Sequence, residues 1–320
     1  MYDKASESCK GVHAMVTHQT NMKRRLSRSV NDSDVLVGAL FILPFLALWF
    51  IWFFLPFLQS FIRSFQSANF IALDQAKFVG LENYINILKD KGFMDALWHS
   101  VTIVAIAVPV ITLLSLLIAL SVNQNIFAKG FFRTVYVVPY ITSPIAAATV
   151  FMVLFRKDQP LAQLMTLLGF ENTTWFSNVN LALPFVILLF IWGQIGFFMI
   201  IYLAGIQDIP RELYEAATVD GASPLRRFLS ITVPSLKPVT FFVVTVSTIY
   251  SFQIYDQVAA ISRYGVLGQP AGRTTTLITY FMQHGIRYME IGYGSAAVVI
   301  FTLIILAITF IQKLLLGKEE

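Results

Sequence analysis

The 320-residue sequence is 57% hydrophobic and 13% charged, where an ordinary soluble domain carries about a quarter charged residues. That balance excludes a water-soluble globular protein and identifies an integral membrane protein. The formal net charge of +5 does not imply nucleic acid, because the basic residues sit at the ends of apolar runs, where headgroups and topology account for them.

The single cysteine, Cys9, rules out an intrachain disulfide and a cysteine metal cluster. Residues 1–34 read as a cytosolic tail in which Lys23, Arg24, Arg25 and Arg28 form a basic anchor before the first span. The tail has no apolar core, so no cleavable signal peptide is predicted.

Six apolar stretches are long enough to cross roughly 30 Å of hydrocarbon as helices of about 20 residues. They are Val35–Leu58, Val101–Asn123, Thr134–Phe155, Leu181–Ile206, Val239–Ile261 and Gly294–Leu316. The predicted fold is therefore an all-α polytopic membrane protein with one six-helix domain over residues 35–320. With the amino terminus inside, 14 of the 23 lysines and arginines fall on the inner side. That bias predicts cytosolic termini and a cytosolic loop over 208–238. Between the first two spans, Tyr84, Ile87 and Leu88 recur at helical spacing, which predicts an amphipathic helix lying on the membrane surface.

The loop Asp208–Pro238 is the longest stretch of the second half that lipid cannot hold. Asp208 and Pro210 read as a cap and a first-turn proline. Helix formers run to Val219, with Leu213, Ala216 and Ala217 on one face. Asp220-Gly221 is a turn signal, and Ser223-Pro224 restarts a second short helix, with Leu225, Phe228 and Leu229 as its apolar face. The pattern is helix, elbow, helix.

Within this loop stand Glu215-Ala216-Ala217, Asp220-Gly221-Ala222 and Ile231 to Pro234. In that order they resemble the signature loop of binding-protein-dependent ABC importer permeases. Phe78 to Tyr84, Phe131 to Thr134 with Pro139, Tyr140 and Pro144, Trp192-Gly193, Ala204 to Gln207 and Gly292 to Gly294 resemble the carbohydrate-uptake branch (maltose and glycerol-phosphate permeases). The resemblance runs from about residue 36 to the end and departs from the family pattern at Ser262 to Arg273. It implies a type I importer fold, a bacterial cytoplasmic membrane location and a cytosolic coupling elbow. The implied partners are a second homologous permease, two ATPase subunits carrying ATP and magnesium, an extracytoplasmic solute-binding protein and lipid. Glu215, Ala216, Ala217, Asp220, Gly221 and Ala222 are then the residues that meet the ATPase.

No P-loop occurs, so no nucleotide cofactor is expected on this chain. No metal site or catalytic group is predicted either. No Asp, Glu, Lys or Arg occupies the middle of a span, which weighs against the alternative of a self-contained channel or secondary carrier. In the fifth span Ser247, Thr248, Ser251 and Tyr255 form a polar stripe flanked by Tyr250 and Gln253. Two expectations stand for it. The hydroxyls bond their own helix or glue neighbouring helices, or Ser247, Tyr250, Ser251 and Tyr255 face a solute pathway.

Overall fold

The structure is a computed structural model that describes residues 32–71, 75–124, 127–262 and 266–316. The expected basic tail up to residue 31 lies outside the described residues, as do Arg263, Tyr264 and Gly265. The chain divides into two units, residues 1–59 and 60–320.

The first unit holds α1 (Asp32–Trp49), which passes through a π turn at Phe50–Phe54 into α2 (Leu55–Arg63), and the unit ends within α2 at Gln59. From Leu36 to Leu58 the side chains are apolar all round, and Phe41 and Trp52 are 81% and 71% exposed. Such a helix suits lipid or another apolar helix, and it satisfies its own backbone bonds in either setting.

The second unit begins with an antiparallel hairpin, β1 (Gln66–Ser67) with β2 (Lys77–Phe78), then α3 (Glu82–Lys89) and α4 (Lys91–Asn123). Next come α5 (Lys129–Ile141), α6 (Pro144–Leu154), α7 (Pro160–Thr166) and α8 (Ala182–Gln207). The elbow supplies α9 (Arg211–Val219), α10 (Pro224–Arg227) and α11 (Val233–Ser235). Four helices close the chain: α12 (Lys237–Phe252), α13 (Asp256–Ile261), α14 (Leu277–Met282) and α15 (Ile291–Leu316).

Among the described residues, five helices are long and apolar enough to cross a membrane: Leu36–Arg63, Lys91–Asn123, Ala182–Gln207, Lys237–Ile261 and Ile291–Leu315. The pair α5 and α6 makes a sixth only if its bend of 98° falls within one crossing. The stretch Thr134–Phe155, expected as one span, is thus two helices. Proline disfavours helical backbone in the residue before it, and Ser143, ahead of Pro144, has ψ of 125°, as Thr142 has 140°. Pro139 has already removed one bond from the turn before. The stretch Val239–Ile261 also breaks, since α12 ends at Phe252 and α13 restarts at Asp256.

Helices α4 and α8 lie side by side and form the centre of the unit. Ile103, Ala107 and Ile111 on one and Phe185, Phe198 and Met199 on the other are all buried. Between apolar helices in lipid this contact is held by close packing rather than by escape from water. Ser115 Oγ on α4 donates to the Ile195 carbonyl of α8 at 3.1 Å, and the buried Tyr202 hydroxyl on α8 donates to Thr240 Oγ1 on α12 at 3.3 Å. Gly196 lets α5 reach α8, because a Cβ there would overlap the Tyr136 carbonyl oxygen.

A second cluster joins Ile87, Phe93 and Ala96 to Leu277, Tyr280, Ala296 and Ala297. Helix α3 belongs to it: Asn83 and Ile87 are buried while Leu88 stays exposed. Asn83 Nδ2 donates to the Ser64 and Gln66 carbonyls at 2.9 and 3.0 Å, tying α3 to the hairpin strand.

Candidate functional site: an elbow and a cleft

Two features contain the residues that the sequence singles out. The first is the elbow. Helix α8 runs on to Gln207, and the Asp208 N–H closes it on the Ala204 carbonyl at 3.1 Å. Asp208 therefore ends one helix instead of capping the next, and Pro210 itself stands at the cap position of α9. At the other end of α9, Gly221 takes φ of +74°. The Ala222 N–H reaches back to the Ala217 carbonyl at 2.9 Å and the Gly221 N–H to Thr218 at 3.1 Å. These two bonds are a Schellman stop, which satisfies carbonyls that the helix end would leave bare. Ser223 Oγ then accepts from the Arg226 N–H at 3.3 Å and starts α10.

Side chains also bridge the two limbs. Arg227 Nη1 donates to Thr218 Oγ1 at 2.7 Å, and that hydroxyl donates to the Tyr214 carbonyl at 2.7 Å. The Tyr214 hydroxyl pairs with the buried Thr232 hydroxyl at 2.8 Å. Glu215, Ala216, Asp220 and Gly221 are exposed, and Ala217 and Ala222 are half-buried. Leu213, Leu225 and Leu229 are exposed beside them. The elbow is an ordered projection with a mixed charged and apolar surface.

The second feature is a cleft of about 270 Å³ where α5, α6, α8 and the break after α12 meet. Its walls carry the phenols of Tyr140, Tyr250 and Tyr255 and the amides of Gln194, Gln253 and Gln257, with Asp256 at the start of α13. Tyr140 stacks on Phe197 with ring centroids 4.7 Å apart. The proline bend makes the cleft, since it turns α6 away from the line of α5. Of the polar stripe, Tyr250 and Tyr255 line this space. Ser247 and Ser251 do not: both are buried and donate to carbonyls of their own helix, at 3.2 Å to Val244 and 2.7 Å to Ser247. Thr248 bonds Val244 likewise and accepts from Gln312 Nε2 on α15 at 2.8 Å. Those hydroxyls serve the bundle.

Residues 84–318 match the profile of a family described as the binding-protein-dependent transport system inner membrane component. The chain belongs to this family. Among curated relatives, this permease is 34% identical to the arabinooligosaccharides transport system permease protein AraP of Bacillus subtilis (strain 168), over 87% of this chain and 88% of that one. It is 30% identical to the sn-glycerol-3-phosphate transport system permease protein UgpA of Yersinia pestis bv. Antiqua (strain Antiqua), over 85% and 91%. Its fold matches a chain of the bacterial alginate ABC transporter, solved in complex with an alginate pentasaccharide-bound periplasmic protein. The TM-score is 0.73 at 20% identity, over 90% of this chain and 96% of that chain. The type I importer fold expected of the permease is thus the fold observed.

One polar assembly of the permease has no counterpart in the sequence pattern. Asp90 caps α4, its Oδ1 accepting from the Gly92 N–H at 2.8 Å. Its Oδ2 accepts from the hydroxyls of Tyr280 and of Tyr293, the latter at 3.3 Å. Burial pushes the Asp90 carboxyl up, but the bonds from Tyr280, the Gly92 N–H and Tyr293 outweigh it and leave it below the usual carboxylate range. Burial, reinforced by Asp90, pushes the Tyr280 phenol well up, so it stays a donor. His284 stacks on Tyr280 and bonds Glu290 Oε2 at 3.0 Å. Asp90 stands 190 residues from Tyr280, so no local spacing announces the pairing.

Proposed function

We infer that the permease is one of two transmembrane subunits of an ATP-driven importer for a carbohydrate or glycerol-derived solute. It takes its solute from an extracytoplasmic binding protein. Two separate ATPase subunits, holding ATP and magnesium, act on the elbow, and the cleft lined by Tyr140, Tyr250 and Tyr255 forms part of the route. In this reading the permease lies in the bacterial cytoplasmic membrane with both termini and the elbow in the cytosol. The solute class is supported by the names of the two curated relatives and by walls of phenols and amides, which suit hydroxyls and the apolar face of a sugar ring.

The observation that carries the reading is the construction of the elbow. Work done on a protein by a neighbour must enter through a piece that keeps its shape. The Schellman stop at Gly221 and the bonds Arg227–Thr218 and Tyr214–Thr232 lock α9 to α10 and to the π turn that ends at Thr232, while Glu215 and Ala216 remain exposed for a partner. Glu215 supplies the charged contact, and the small Ala216, Ala217 and Ala222 permit close approach. Asp220 and Gly221 set the turn.

The test uses the full complex in membranes. Gly221→Asp is expected to reach the membrane and assemble with the second permease, but to lose the ATPase on pull-down and lose uptake. Glu215→Lys should act the same way more mildly. Normal recovery of the ATPase by both variants with undiminished uptake would refute the coupling role.

A further inference from the structure

The cleft has a marked bias in the groups it offers. Three phenols and three primary amides line it, and among the described residues its one acidic side chain is that of Asp256, which is exposed. Among the described residues, no lysine or arginine lines it. The cations on the lining helices stand far off along their axes. Arg133 precedes Tyr140 by seven positions on α5, about 10 Å of helix, and Lys237 precedes Tyr250 by 13 on α12, about 20 Å.

We propose that the cleft admits uncharged, hydroxyl-rich solutes and disfavours anions, and that Asp256 sets this preference. The proposal rests on reading the cleft as part of the solute's route. A phosphate or sulfonate leaving water needs charge-assisted donors in exchange, such as an arginine fork or an ammonium. Here it meets neutral donors and a carboxylate of its own sign. A sugar or polyol meets what it needs. Each glutamine presents a donor and an acceptor side by side, matching neighbouring hydroxyls, and the Tyr140, Tyr250 and Tyr255 rings can cover the C–H face. Gln194 adds a buried side-chain oxygen with no hydrogen-bond partner, an acceptor suited to a hydroxyl donor. Asp256 also sits in the first turn of α13, where a carboxylate offsets the helix dipole. Asp256→Glu keeps the charge on which both functions depend, whereas Asp256→Asn removes it at nearly the same size.

The experiment places a thiol in the cleft by Gln253→Cys, in a Cys9→Ser background, and reconstitutes the permease with its second permease and ATPase subunits in lipid nanodiscs. Methanethiosulfonate reagents carrying an ammonium or a sulfonate report the local charge. Relative to their rates on a free thiol in solution, the ammonium reagent is expected to react several-fold faster than the sulfonate. Adding Asp256→Asn should abolish that preference, and Asp256→Glu should keep it. Maltotriose should protect the thiol, and glycerol 3-phosphate at equal concentration should not. A preference for the sulfonate reagent, a bias indifferent to Asp256→Asn, or stronger protection by glycerol 3-phosphate overturns the selectivity and leaves the route intact. A thiol closed to both reagents in a complex that still imports solute rejects the route itself, and the selectivity with it.

Discussion

The elbow and the crossing of α5 over α8 both depend on a glycine, for opposite reasons. At Gly221 a Cβ would meet nothing within 4 Å, and the requirement lies entirely in φ of +74°. At Gly196 the backbone is ordinary helix, and the requirement is space, because the Tyr136 carbonyl oxygen already occupies the place a Cβ would take. One glycine sets a shape and the other permits a contact. The first demand is local and tolerates compromise. The second is imposed by a segment 60 positions away and does not.

The sharpest way to break the comparison is to add one methyl group at each site. Gly196→Ala should be the most damaging, since the α5–α8 seam must open or α5 must shift. Overpacking of this kind costs about 1–3 kcal/mol, and a clash with backbone belongs at the upper end. Purified complex in detergent should melt well below the parent, and equal melting temperatures would mean that the crossing is not as close as described.

The same contrast explains what is legible in the sequence. The elbow is readable almost residue by residue, because helix stops, caps and turns are written within five positions: Asp220-Gly221 and Ser223-Pro224 do what their types dictate. Asp208 has the residue type of a cap, but α8 reaches far enough to take it as its own end. The count of apolar stretches is readable from length alone, but the 98° bend is not, although Ser143-Pro144 contains its cause. The stripe of Ser247, Thr248 and Ser251 has the spacing of a pathway face, yet spacing cannot distinguish a hydroxyl facing solute from one bonded to its own helix. Tyr250 and Tyr255, too large to turn back onto the backbone, line the cleft, as does the flanking Gln253. The pairing of Asp90 with Tyr280 and Tyr293 has no local signal at all.

That pairing supplies the next test. Asp90→Ala removes a cap and the shared acceptor of two phenols, which keep only their contact with each other at 3.1 Å. Hydrogen bonds to a charged group contribute about 1.5–3 kcal/mol, discounted here for partial exposure to about 1.5 kcal/mol. Because the carboxyl lies below its ordinary value in the folded protein, its contribution is complete above the unfolded value near about 4. It is lost as pH falls from there through the folded value. Melting temperature tracked downward from about pH 5 should therefore drop less steeply in Asp90→Asn than in the parent. Parallel curves would show that the carboxylate is not held as described.

Gly221→Ala comes third. A side chain at positive φ costs roughly 1 kcal/mol, with no clash to add. The melting temperature should fall slightly while the ATPase stays bound, in contrast to the charged substitution at the same place. A loss as large as that of Gly196→Ala would erase the distinction between shape and space.

Tyr214→Phe should have the smallest effect on stability, about 0.5 kcal/mol, the low end for one neutral hydrogen bond, here to Thr232. Its value lies in a different readout. If the limbs of the elbow must move as one, the number of ATP molecules hydrolysed per solute imported should rise even where binding of the ATPase is normal. An unchanged ratio would assign the bond to local stability alone.

Helix α12 gives these sites a mechanical relation. It runs unbroken from Lys237, at the edge of the elbow, to Phe252, beside the cleft, a length of about 24 Å. Tyr250 rides on its far end, and Gln253 and Tyr255 come immediately after. Gly205 packs against Val239 and Leu236 near the other end, where a pivot would sit. Such a rod is a lever arm: under the proposed coupling role, a small tilt imposed at the elbow is magnified at the tyrosines in proportion to their distance from the pivot. Widening or narrowing the cleft then needs no relay of intermediate contacts, only the stiffness of one helix.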